Sequence, residues 1–388
     1  MDEKHRSLPF TDFSVTFDVH VEGEQVFVSS GATHSAPTPF SMFGIWAIPP
    51  GIPVGSYHFG RADNVRPHPS AMTVVLGSDQ LSMWARRCPH CTWYWRTEAP
   101  GLVAAAVCPY CGKHSEAWEC LSEAQEAYVE AVCAVHAQVT NQRKSGKYSV
   151  YVKDLLEQYY SSDDGQTPAP PEFFVETEQQ SKFKCDECGM TNNILGRFGY
   201  CSTCGTRNDM AMLRADITGI RKRLSEGGSP ISGLKDLVSK FDSLGRRIAQ
   251  QLLLHVRMVH VRRSRWKDAN FSQLALVSED LKRHFGIEIF RKVDGGDQAH
   301  ARLMFHRRHV HEHNDGIIDA KYLEDSGDTS VRLGEHVTES MGDVMRLTGI
   351  VDKIAANLME GFHQIMPVHE LPIRIHKDQR ERMNSRGG

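Results

Sequence analysis

The chain has 388 residues, 40% of them hydrophobic and 24% charged, with a formal net charge of −3, which is enough apolar content for packed cores in two or three domains. No run of 18 apolar residues occurs, so no membrane span is expected, and the opening MDEKHRSLPF lacks the apolar core of a secretory signal. Eight of the ten cysteines fall in C-x-x-C pairs, a metal pattern rather than a disulfide framework, and a reducing cytoplasm fits it best.

Charge is unevenly spread. Residues 116–178 hold 12 acids against 4 bases, whereas residues 211–310 hold 20 bases against 10 acids. The second stretch suits a polyanionic partner, although solvated helix faces would give the same balance.

Residues 1–85 read as a β-rich domain of unassigned fold. FSVTFDVHVEGEQVFV alternates with period two around a turn at Glu22-Gly23-Glu24. GIWAIPPGIPVGSYHFG carries too much Gly and Pro for a helix, and TVVLG reads as another short strand. Residues 86–114 form a first cysteine module, CPHC at 88–91 and CPYC at 108–111. Residues 115–160 read as helical, with Val150 to Tyr160 extending the helix after a Lys-Ser-Gly-Lys break. Residues 161–181, which include SSDDGQTPAPPE, read as a linker. Residues 182–208 form a second cysteine module, CDEC at 185–188 and CSTC at 201–204.

Each module offers two knuckles. A two-residue gap lets both thiolates of a knuckle face one ion, and two knuckles complete a tetrahedral S4 shell, so each module is expected to hold one structural Zn2+: Cys88, Cys91, Cys108 and Cys111 in the first, Cys185, Cys188, Cys201 and Cys204 in the second. A redox or iron–sulfur role is the alternative. Glycine follows three of the knuckles, permitting the tight turn that aims backbone N–H groups at sulfur. Both modules resemble zinc ribbons, GYCSTCGTRN most of all, and ribbons serve nucleic-acid or protein binding as well as stability. Trp93, Tyr94, Trp95 and Arg96 would either stack on bases or form the first ribbon's own core. Cys120 and Cys133 read as buried helix residues without a ligand role.

The remainder reads as an all-α domain over residues 209–369, a four-helix up-and-down bundle. The apolar steps Ile231 to Leu252, Leu274 to Phe285 (closed by Gly286) and Val344 to Leu358 mark three helices, and the fourth is expected from about Asp297 toward Tyr322. Residues 370–388 read as a frayed basic tail. The fold class is therefore α+β multidomain: a β-rich N-terminal region, two zinc ribbons and a C-terminal helical bundle. LLHVRMVHVRRSRWK adds Arg257, Arg262, Arg263, Arg265 and Lys267 around Trp266, a segment suited to an RNA backbone or to a solvated helix end.

The densest chemistry lies in RRHVHEHNDG, residues 307–316. Three uses fit such a cluster. It is a solvated face, or a metal site using His309 and His313 at helical spacing, or a site for phosphate chemistry. In the last, a guanidinium grips phosphate oxygens and an imidazole moves a proton near neutral pH. The pattern R-x-x-x-x-H, here Arg308 to His313 and followed by Asn314 and GIIDAKYL, resembles the HEPN superfamily of all-α domains over residues 229–367. That resemblance implies a metal-independent endoribonuclease leaving a 2′,3′-cyclic phosphate, acting as a homodimer with two motifs facing across a cleft. It implies that Arg308 steadies the scissile phosphate, His313 acts as acid or base and His309 orients them, with Arg307 as a substitute for Arg308. It also admits a stress, toxin or antiphage role. Residues five apart on an ideal helix diverge by about 140°, a further reason to expect a second protomer. The competing function is a non-catalytic RNA- or protein-binding scaffold built on the same helices and ribbons.

Overall fold

The computed structural model describes residues 13–34, 42–57, 64–78, 82–98, 105–151, 154 and 181–386. It is a mixed α+β chain with small antiparallel sheets, and no helix among the described residues is long and apolar enough to cross a membrane. It divides into two compact units, Met1–Thr206 with His369–Gly388, and Arg207–Val368.

In the first unit, β1 (Phe13–Glu22) and β2 (Gln25–His34) pair as a hairpin whose turn falls at Gly23, which has a positive φ of 59°. Strands β3 (Met42–Ile48), β4 (Ile52–Tyr57) and β5 (Met72–Gly77) form a second sheet in the order β4-β3-β5. Alternating residues of both sheets, among them Phe17, Val19, Ile45 and Val74, pack with Tyr128, Val129 and Val132 of helix α1 (Glu123–Gln142) in one apolar core. A reciprocal Ser122–Gln125 capping box starts α1. The Tyr128 hydroxyl, with its body buried, donates to the Val75 carbonyl at 3.1 Å.

Where the expected helical extension would begin, Val150 and Tyr151 are strand instead, while Asp154, the other described residue of that stretch, is helical. Gly146–Tyr151 forms β10 and completes a sheet in the order β10-β1-β2. After the left-handed cap at Arg143, Tyr148 and Val150 alternate toward the core as a strand would. Residues 155–160 and the linker expectation before Ser181 lie outside the described residues.

The two cysteine modules share one sheet. Strands β6 (Met83–Arg87) and β7 (Tyr94–Glu98) belong to the first module, and a short hairpin of β8 (Ala105–Val107) and β9 (His114–Glu116) carries its second knuckle. Strands β11 (Ser181–Lys184) and β12 (Thr191–Ile194) belong to the second module. The order β11-β12-β7-β6 joins them, with Asn192 opposite Thr97 and Asn193 opposite Arg96.

The second unit is helical. Helices α2 (Asp209–Ser225), α3 (Pro230–His255), α6 (Gly295–His313) and α8 (Met341–Ile365) turn buried faces toward one another, among them Ile217 of α2, Phe241 and Ile248 of α3, Phe305 of α6 and Leu358 of α8. Ser229 with Pro230, Asp294 and Ser340 cap the starts of α3, α6 and α8. Between them lie α4 (His260–Lys267), α5 (Leu274–Phe285) and α7 (Ala320–Ser326).

The helix expected to run toward Tyr322 stops at His313. Asn314 is its C-cap, Asp315 (φ 51°) and Gly316 (φ 83°) are left-handed, and α7 starts a new direction with Asp319 as its N-cap. The expected frayed tail is also different: Glu370–Arg386 forms helix α9 in the first unit. Its Ile373 packs on the second cysteine cluster, and Lys377 lies 3.8 Å from Glu187.

Close packing fixes the segment between α4 and α5. A Cβ built on Gly245 of α3 would lie 2.1 Å from the Phe271 ring, which is fully buried. The Phe271 amide also donates to Asp242 Oδ1 at 2.7 Å. Gly245→Ala should therefore cost about 1–3 kcal/mol, because overpacking outweighs the gain in helix propensity. A denaturation midpoint equal to wild type would contradict this packing.

Candidate functional site

Both cysteine quartets are brought together. Across the first, Cys88 and Cys111 sulfurs lie 3.7 Å apart and Cys91 and Cys108 3.6 Å. Across the second, Cys185 and Cys204 lie 3.6 Å apart and Cys188 and Cys201 3.5 Å. Arms of about 2.3 Å give a tetrahedron an edge of about 3.8 Å, so all four spacings are compatible with one four-coordinate ion per quartet and too long for a disulfide. The knuckles share one backbone pattern. Cys88, Cys108, Cys185 and Cys201 each donate their N–H to a carbonyl five residues on and accept from the residue four on. That accepting turn ends on Thr92, Gly112, Gly189 or Gly205, all with φ between 62° and 77°. Glycine meets this requirement three times without strain, and Thr92 adopts it as a non-glycine.

The aromatic run of the first module mostly builds its own core. Trp95 and Arg96 are buried, and Trp93 alone of the four is exposed, leaning on Tyr110 at 5.4 Å between ring centroids. Cys120 and Cys133 are buried thiols, each pushed up to about 11 by burial, and neither joins a quartet.

The second unit holds a cavity of about 540 Å³, within the range of ligand-binding clefts. One wall is helix α6, which presents Arg302, His306, Arg308, His309 and His313. The segment entering α5 and its first turn add the uncharged Asn270, Ser272, Gln273 and Leu276 to the lining. Asn314, Asp319, Lys321 and Asp325, from where α6 gives way to α7, also line it. Arg308 and His313 thus reach one space in one chain, although they are five residues apart.

Position on α6 explains why the helix tolerates this cluster. It occupies the last two turns, where free backbone carbonyls favour positive charge. The two arginines of the motif divide their work. Arg307 faces inward: its guanidinium donates to Asp328 Oδ2 at 2.9 Å and to Ser330 Oγ at 2.9 Å, and it lies 3.6 Å from Glu339. Tyr322 donates its hydroxyl to the same Asp328 oxygen at 2.6 Å, and His311 Nε2 lies 3.0 Å from Glu339. Arg307 is therefore committed to a buried ion network and is no substitute for Arg308. Arg308 makes no ion pair among the described residues, and its Nε is buried without a hydrogen-bond partner.

The imidazoles of His309 and His313 stand 4.5 Å apart between ring centroids. Burial, then the positive neighbours His313, Arg308, Lys321 and His306, push His309 below the ordinary imidazole value. Burial lowers His306 as well, with Asp325 opposing. Asn314 Nδ2 donates to Asp319 Oδ2 at 2.6 Å, while Asp319 Oδ1 takes the Tyr322 amide, so this acid is occupied by the turn. Among the described residues, only the two cysteine quartets gather three or more ligand residues closely enough for a metal. His309 and His313 find no third ligand.

Arg302, His306 and Lys321 were not singled out by the R-x-x-x-x-H spacing. The signal for the first two was present as 302, 306, 309 and 313, a stripe at steps of four, three and four. Trp266, by contrast, is no stacking platform: it is buried, and its Nε1 donates to His284 Nδ1 at 3.0 Å. Arg263 and Arg265 near it are taken up by the Leu253 carbonyl and Asp280, while Arg257, Arg262 and Lys267 are exposed.

Compared with known proteins, the chain matches no family model, no curated protein and no solved structure.

Burial would raise the Asp328 carboxyl, but hydrogen bonds from Ser330, Tyr322 and Arg307 hold it well below the usual range. Its contribution is present above the unfolded value of about 3.9 and is lost as pH falls through the lower folded value. Asp328→Ala should cost about 3–5 kcal/mol at pH 7 by stranding Arg307, and its deficit against wild type should narrow below about pH 4. Arg308→Ala should stay within about 0.5 kcal/mol of wild type. Equal losses for the two variants in urea titrations would contradict this division of roles.

Proposed function

We propose that the Arg207–Val368 unit binds and cleaves RNA as a metal-independent, HEPN-type endoribonuclease. The observation that carries this reading is the convergence of Arg308, His309 and His313 on one cavity from one helix, beside further cations and with no third ligand for a metal among the described residues. RNA supplies its own nucleophile, the 2′-hydroxyl. One imidazole removes its proton, the 2′-oxygen attacks phosphorus, and the bond to the 5′-oxygen breaks as that oxygen takes up a proton. Arg308, without a carboxylate partner among the described residues, stabilises the charge developing on the phosphate. His313, at the exposed end of the stripe, is the proton-transfer group, and His309 orients it. A dimer is carried by the resemblance alone, since one protomer suffices to bring Arg308 and His313 together.

The purified protein, in magnesium-free buffer, should convert mixed RNA to products ending in 2′,3′-cyclic phosphate. Arg308→Ala and His313→Ala should each lose at least about a hundredfold in rate, on the scale of general acid–base and charge-stabilising groups, while keeping the wild-type circular-dichroism spectrum. RNA retention without scission, unaltered by His313→Ala, would instead favour the binding scaffold.

In the first unit, the same reading gives each quartet one structural Zn2+. Four thiolates fill a tetrahedral shell and leave no position for substrate. The chain should contain two zinc equivalents, and Cys91→Ser or Cys188→Ser should each reduce that number. Such an ion supplies on the order of 10 kcal/mol to folding, so chelation should melt the ribbons. A folded protein with fewer than one equivalent by elemental analysis would refute this.

A further inference from the structure

Arg302 and His306 lie outside the R-x-x-x-x-H motif yet line the same cavity as Arg308 and His313. Arg302, His306, His309 and His313 form one stripe on α6, advancing about 16 Å along the helix axis from the first to the last. One strand of a duplex places a phosphate about every 3.4 Å of axis, so the stripe outreaches a single phosphate. Arg302 is exposed, lies over the Phe290 ring at 5.4 Å, and has no carboxylate partner among the described residues.

The segment entering α5 gives the lining a different character. Asn270 Oδ1 is fixed by the Ser272 amide at 3.0 Å and the Ser272 hydroxyl at 2.6 Å, and its Nδ2 makes no hydrogen bond among the described residues. Gln273 precedes α5 without capping it through its side chain. Helix α6 therefore contributes cations to the lining, the segment entering α5 contributes amides and the aliphatic Leu276, and Asp319 and Asp325 are the carboxylates in it. A single strand has this polarity, with phosphates along one edge and bases along the other. A duplex hides its bases in pairing.

We infer that the cavity is a track for single-stranded RNA, in which Arg302 holds a phosphate displaced along α6 from the one cut at Arg308 and His313. This deepens, and rests on, the reading of the cavity as an RNA-cleaving site. Arg302 is a binding and positioning residue in this scheme, because it stands about three helical turns from His313 and acts on the strand rather than on the reacting atoms.

The test compares a cleavable dinucleotide, which has one phosphate, with a hexanucleotide of the same central step, using the full chain. Wild type should prefer the hexanucleotide in kcat/KM. Arg302→Ala should shrink that preference at least about fivefold, mainly through KM, and Arg302→Lys should restore most of it. The dependence of log affinity on log salt should also flatten by about 0.7, the loss of one phosphate contact to a single strand. Binding of a fully 2′-deoxy hexanucleotide, followed by anisotropy, reads the track without cleavage. If wild type cuts no RNA, the parent reading fails, yet length-dependent binding lost in Arg302→Ala still supports the track. An Arg302→Ala variant that matches wild type for both lengths, or weakens both equally, overturns it.

Discussion

The second unit's site depends on the buried pairing of Arg307 with Asp328. Asp328 also takes the Tyr322 hydroxyl and both Ser330 donors, so one carboxylate gathers the end of α6, the body of α7 and the loop after it. Burial of an ion pair is costly unless its remaining hydrogen-bonding groups are met, and here they nearly all are. The consequence for chemistry lies one residue away. With Arg307 held inward, the helix turns Arg308 toward the cavity, which the α7 residues Lys321 and Asp325 also line. A dense polar sequence is thus split into a structural half and a chemical half by its phase on one helix.

A comparable economy of contacts appears in the first unit. The quartets are more than seventy residues apart in sequence, from Cys111 to Cys185, but β7 and β12 pair across them, and Tyr110 ties them again. Its hydroxyl donates to the Tyr94 carbonyl at 2.6 Å and accepts from the Leu195 amide at 2.9 Å. Each quartet therefore stabilises a sheet that the other also holds. Two small cysteine modules that could not bury enough surface alone gain a shared core around Trp95 and Ile194.

Much of this was legible because the signals were local. Period-two alternation marks β1 and β2, three- and four-residue apolar steps mark α3, α5 and α8, and paired cysteines mark their own clusters. What the chain conceals depends on partners distant in sequence. β10 looks like the continuation of a helix until β1, more than a hundred residues earlier, is placed beside it. The tail helix α9 has only a weak apolar face, and its order comes from contacts such as Ile373 on the second quartet. Trp266 is hidden for the same reason: its aromatic ring and basic neighbours suggest a surface, whereas His284 and Phe285 of the following helix cover it.

The spacing of the histidine motif misleads in a more specific way. Five residues turn a helix by about 500°, so a motif defined by that spacing selects side chains on diverging azimuths. Steps of four, three and four hold a single azimuth, and the row 302, 306, 309 and 313 is the one that lies along the cavity wall. Arg308 joins it from the side, with a side chain long enough to cover the offset. The motif spacing thus picks out Arg308 and His313, while helical phase picks out the row that lines the cavity, a distinction that neither the cysteine pattern nor the overall charge contains.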